Sequence, residues 1–351
     1  MKTLFRRITL AIFLTALISL PRLYAADQYY FIQEIHIGGE GGWDYLSIDH
    51  TGRRLYVSHN TKIIVIDIDQ DQIVGQITGT PGVHGFAVAS SLGRGFSSNG
   101  RENTVSVVNL DTLKTVTKVQ TGENPDCIIY EPGRQQVYAF NGRGKSATVI
   151  DAATAKVLDT IALPGKPEFA AADPSVSRVY CNIEDKNLIA EIDTSKHQLV
   201  NTWHISPGDE ASGMAIDIVH KRLFIGCHNK VMEMIDSATG KVIGSVPIAT
   251  GVDADAFDPV NDFAFASCGD GTTTIAREES PDKLTVVQTL VTRRGARTMA
   301  LDPDSHKIYL ATADYESQDE QSEDQPRRRP KMIPNTFKIL VYGIIVPIKT
   351  P

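Results

Sequence analysis

Cysteine is scarce in this 351-residue chain, with four residues (Cys127, Cys181, Cys227, Cys268) far apart and no C-x-x-C pair. That excludes a local thiolate metal knuckle, a thioredoxin-like redox motif and haem attachment through C-x-x-C-H. An oxidising compartment would permit disulfides, but the spacing assigns none, and the four read as small buried strand residues. Basic charge is also short, 35 Lys and Arg against 42 Asp and Glu for a net −7, which argues against a nucleic-acid-binding face. There is no nucleophile elbow, no H-E-x-x-H and no phosphate-binding glycine loop; the GGEGG stretch at residues 38–42 opens no helix and reads as a flexible connector. After residue 26 no apolar run is long enough to span a bilayer, and no segment holds a 3.6-residue apolar period.

The chain does contain a leader-like start. Lys2, Arg6 and Arg7 precede ITLAIFLTALISL, an apolar run of 13, and then PRLYAA with small residues at Ala25 and Ala26. This is the pattern of a secretory signal peptide over residues 1–26, so an exported protein is expected, in the periplasm, the cell envelope or the medium. With 42% hydrophobic and 22% charged residues, the remainder has a soluble globular profile with no membrane span.

A repeat dominates the chain beyond this leader. An aromatic residue stands seven positions after a turn that often begins Asp or Asp-Pro, at Tyr56, Phe96, Tyr138, Tyr180, Phe224, Phe265 and Tyr309. The spacings are 40, 42, 42, 44, 41 and 44. Each of the first six copies carries four runs of 4 to 7 residues rich in Val, Ile, Thr and Tyr, punctuated by Gly, Asn, Asp and Pro. Four antiparallel strands per roughly 42 residues is the unit of a propeller blade. The expected fold is therefore all-β, a seven-bladed β-propeller of four-stranded antiparallel blades. The last copy lacks a fourth strand and QYYFIQEIHI lacks a blade, so the N-terminal strand is expected to complete blade seven and close the ring. The single domain would cover residues 27–343. Residues 314–335, acidic then basic with few apolar side chains, read as a mobile insert in blade seven, and 344–351 form a tail.

The copies YVSHNTKIIVID, GFSSNGRENTVSVVNLDT and YAFNGRGKSATVID resemble the forty-residue YVTN-type repeat. Over residues 28–343 the chain is similar to the YncE-like exported seven-bladed propellers. That resemblance implies the fold and export, and names no reaction.

On a propeller, function belongs to loops and channel-lining positions rather than to blades. Twelve residues before each aromatic anchor stand Asp44, His84, Asp126, Glu168, Ser212, Asp253 and Arg297, all polar. The register predicts a ring of these side chains around one channel mouth, although Asp126, after Pro125, reads best as a turn residue. A second column, three or four residues after the anchor, includes His59, Asn99, Asn141, Asn182 and His228 and should return to the same face. Trp43 would stand beside the ring. His197 and His306 read as solvated turn residues, and Asp67, Asp151, Asp193 and Asp236 as turn formers.

Two functions fit. The first is a monomeric binding or scaffold protein that captures a small molecule or protein partner through Asp44, His84, Glu168, Asp253, Arg297, His59, His228 and Trp43. The second is a metal-assisted lyase or lactonase-type hydrolase, by analogy with other propeller enzymes. Its cofactor would be a divalent cation, with Asp44, His59 and His84, or Glu168 and Asp253, as ligands. His84 or His228 would be its base, and Arg297 would hold a substrate carboxylate. The first is preferred because no reaction motif accompanies the polar rings.

Overall fold

The computed structural model describes residues 28–316 and 331–344. The segment expected to be a signal peptide (1–26), the middle of the insert and the tail after residue 344 lie outside the described residues.

The described chain forms seven separate four-stranded antiparallel sheets, with helix limited to two single 3-10 turns. In six sheets the strands follow one another in sequence order. In the seventh the order is Thr298–Leu301, Ile308–Thr312, Lys338–Ile344 and then the N-terminal strand Tyr29–His36. The N-terminal strand thus supplies the outer strand of blade seven. Neighbouring innermost strands touch all the way round, and Thr298–Leu301 touches Trp43–Asp49 of blade one, so the ring is closed. It is a seven-bladed β-propeller.

The turn chemistry explains the repeat. The last residue of an innermost strand is usually acidic, and its carboxylate accepts a backbone N–H two or three residues on. Examples are Asp49 from Gly52 at 2.9 Å, Asp173 from Ser175 at 3.0 Å and Asp217 from Val219 at 2.8 Å. These Asx-type turns end with a residue in the left-handed region, such as Arg53 (φ 52°) or Asp262 (φ 55°), which leads into the anchor strand. The anchors themselves are buried, all at 2% exposure or less. They fill the space between blades: Tyr56 stacks on Phe86 of blade two with centroids 4.5 Å apart, and Phe224 on Phe257 of blade six at 5.0 Å. Each such ring contributes about 1.5–3 kcal/mol by leaving water, which is why an aromatic recurs at this position.

The insert is anchored by a short paired base. Its ends pair: the Glu316 N–H donates to Lys331 O and the Ile333 N–H to Asp314 O, with Tyr315 bridging Met332. Residues 314–316 and 331–335 therefore form a hydrogen-bonded stem in which backbone groups satisfy one another.

Candidate ligand site at the channel mouth

At the start of the innermost strand in five of the seven blades the pairing gains one extra residue. The register slips between Trp43 and Leu46, Val83 and Phe86, Pro125 and Ile128, Pro167 and Ala170, and Val252 and Ala254. A bulge of this kind re-aims the side chains beside it. Asp44, His84, Asp126, Glu168 and Asp253 all sit within these bulges, at the mouth end of the channel.

The ring is internally bonded in three groups. His84 Nδ1 lies 2.6 Å from Asp44 Oδ2 and 3.4 Å from Asp126 Oδ1. Glu168 pairs with Lys166 at 2.8 Å, and the Tyr45 hydroxyl donates to it at 3.5 Å. Arg297 Nε is 3.1 Å from Asp253 Oδ2, whose other oxygen accepts from Ser212 Oγ at 3.3 Å. Tyr45 belongs to blade one, yet it reaches Glu168 and packs edge-on against Phe169 of blade four, centroids 5.1 Å apart. It crosses the channel and floors the ring.

Burial disfavours a charged His84, but the Asp44 hydrogen bond and the charges of Asp126, Asp44 and Glu168 outweigh it and hold the imidazole up at about 9. Glu168 is pushed up by burial and then by Asp126, against the pull of Lys166. Asp126 is raised by burial, against the pull of His84. Asp253 is pushed up to about 6, again chiefly by burial, although Arg297 opposes the shift.

Beside the ring opens a cavity of about 520 Å³. Trp43 and Tyr315 supply aromatic surface, Met332 an apolar contact, and Arg294 and Arg297 two cations. Trp43 is fixed from behind by Phe337, stacked at 5.0 Å and 25°. Gly295 (φ 82°) leaves room for the phenol of Tyr315, since a Cβ there would come within 2.6 Å of its hydroxyl. No described ion pair engages Arg294.

No family model matches the chain, and no curated protein matches it in sequence. Among solved structures it is similar to hydrazine synthase of Kuenenia stuttgartiensis, at 16% identity and a TM-score of 0.68, over 80% of this chain and 96% of that one. At that identity the likeness is one of fold.

Of the residues singled out from sequence, Asp44, His84, Glu168, Asp253 and Arg297 stand on the ring, and Trp43 walls the cavity. His59 does not join them. It is fully buried, its ring tilted against Phe337 with centroids 4.4 Å apart and its Cε1 against Gly39, and burial, helped by Lys62, pushes its pKa down. The cation-capable cluster is accordingly Asp44, His84 and Asp126, not Asp44, His59 and His84. Asp126, read as a turn residue, is a ring member because the bulge turns it inward. His228 pairs with Glu210 at 3.5 Å, outside the cluster.

The asparagines of the second column are structural. Asn99 donates to Thr104 and Ser106, Asn141 to Ser146 and Thr148, and Asn182 to the carbonyls of Ser212 and Gly213 in the next blade. His306 and His197 are also engaged, at 2.8 Å from Asp258 and from Gln136 respectively, rather than solvated. Sequence reasoning passed over Lys166, Arg294, Tyr315 and Met332. Lys166 could have been found, two residues before Glu168 on the same mouth, whereas Tyr315 and Met332 reach the cavity only through the stem pairing.

Proposed function

We propose that this propeller is an exported, YncE-like binding protein whose channel mouth captures a small organic anion with a flat or apolar body. The observation that carries the reading is the cavity of about 520 Å³ that Arg294 and Arg297 line together with Trp43 and Tyr315. Its volume suits a small ligand, and its walls pair a few directional polar groups with aromatic surface. The guanidiniums would take a carboxylate, and Trp43 and Met332 the body of the molecule. The metal-assisted alternative with Asp44, His59 and His84 as ligands and His84 or His228 as base draws no support from the geometry, since neither cation-capable cluster among the described residues contains more than one of His59, His84 and His228.

The chain has two tryptophans, so Trp203→Phe leaves Trp43 as the sole indole reporter. Titrating that variant with a panel of aromatic carboxylates should change its fluorescence saturably for at least one member. Arg297→Ala should weaken that response about tenfold or more, the loss of roughly one charge-assisted contact. A flat Trp43 signal across the panel, or an unchanged response in Arg297→Ala, rejects the reading.

A further inference from the structure

The opposite face of the ring carries a second convergence of ligating side chains. Asp217 ends the innermost strand of blade five, His220 lies in the turn after it, and Glu278 is on the third strand of blade six, Thr272–Ser280. His220 Nδ1 is 2.6 Å from Asp217 Oδ2 and 3.6 Å from Glu278 Oε1. The Glu278 side chain is 1% exposed, and neither of its oxygens accepts a hydrogen bond from a described residue. An unpartnered buried carboxylate is costly. Here it lies beside a second buried carboxylate, and the more exposed His220 ring approaches both.

Two other blade gaps show a contrasting arrangement. Where blade seven meets blade one, the buried Asp302 accepts two hydrogen bonds from Arg53, at 2.9 and 2.8 Å. Where blade six meets blade seven, His306 lies 2.8 Å from Asp258. Arg53 and His306 occupy the third position before their anchors, and in blade six that position is Asp262, an acid. The partner that the next blade supplies to the buried acid at those two gaps is replaced at this one by carboxylates. Arg222 is the nearby positive charge, but it is committed to Asp236 at 2.9 Å and to Pro281 O at 2.6 Å.

We propose that Asp217, His220 and Glu278 bind a zinc-like divalent cation that braces blade five against blade six. The donor set, one imidazole nitrogen and two carboxylates with a solvent-facing fourth position, suits a borderline first-row ion. Ligands about 2.0–2.1 Å from a tetrahedral ion lie about 3.3 Å from one another, between the 2.6 and 3.6 Å that separate His220 Nδ1 from Asp217 and Glu278. Small rotations of the exposed His220 ring would equalise them. In the absence of the ion a proton performs the same neutralisation, since burial and then the charge of Asp217 push Glu278 up to about 7.

The test is calorimetric titration with Zn²⁺ of the chain carrying Asp44→Asn, which disables the channel-mouth cluster. One ion should bind, and thermal melting should move upward with zinc concentration. Adding Glu278→Gln should weaken binding at least about tenfold and abolish the melting shift. His220→Ala, a change at an exposed turn that leaves the core untouched, should weaken binding similarly and serves if the glutamine variant does not fold. No zinc binding in the Asp44→Asn chain, or affinity unchanged by both added variants, overturns the proposal.

Discussion

Within the ring, His84 neutralises charge that would otherwise have to be met by a ligand or by solvent. Asp44 and Asp126 both face its Nδ1, at 2.6 and 3.4 Å. Held at about 9, the ring is an imidazolium at neutral pH and can satisfy the stronger of those two partners by a charge-assisted hydrogen bond. Elsewhere on the mouth Lys166 answers Glu168 and Glu184 together, and Arg297 answers Asp253. The same physics of burial acts on sulfur. All four cysteines are free and buried. Burial pushes the thiols of Cys127 and Cys181 well up and that of Cys268 to about 12, so their nucleophilic thiolate is suppressed. Ellman's reagent at pH 8 should therefore find no rapidly reacting thiol in the native protein and four after denaturation. A fast native thiol would show that at least one of these sites opens.

Closure of the ring concentrates on one strand. Tyr29, on the N-terminal strand, is 1% exposed, its hydroxyl donates to His306 O at 2.8 Å, and its ring packs edge-on against Phe265 of blade six at 5.2 Å. Tyr29→Ala should cost about 3–5 kcal/mol and, by loosening the outer strand of blade seven, expose its edge to association. Urea denaturation gives the loss, and light scattering the association; a variant as stable as the parent would show that the strand is not what closes the ring. That closing role was legible in the sequence, because a four-strand unit with one strand missing at the C-terminus and one spare at the N-terminus has one economical solution. The ring positions were legible for the same reason: a fixed distance from an aromatic anchor preserves register from blade to blade. The second column misled. His59 and Asn99 end strands at the correct height, but pleating turns their side chains into the sheet packing, and alternation of that kind is not visible from spacing to an anchor alone. Tyr45 went unread because its contact lies across the channel, in a blade 123 residues away.

The molecule as a whole stores many protons that its unfolded chain would not hold. Asp253 is pushed up to about 6 and Asp255 to about 8, in both cases chiefly by burial. His84 stays protonated to about 9, burial being outweighed by its acidic neighbours. Unfolded aspartate and histidine release their protons near 3.9 and 6.5, roughly. Between about pH 4 and 9 the folded state thus binds more protons than the unfolded state at these sites, and stability must fall as pH rises through that window. His59 works in the other direction. Its pKa is lowered by burial and by Lys62, so the unfolded chain takes up a proton that the folded one refuses, and stability is lost as pH falls below about 6.5. The His84 contribution is complete below about 6.5 and disappears as pH climbs through about 9. The melting temperature should accordingly decline steadily from pH 6 to pH 9 at constant ionic strength, as read by scanning fluorimetry. Asp255→Asn should flatten that decline, because the amide imitates the protonated acid and still accepts from the Gly226 N–H. A melting temperature that rises toward pH 9, or a slope indifferent to Asp255→Asn, would mean that these carboxyls are ionised in the folded propeller and that water reaches the channel more freely than their packing implies.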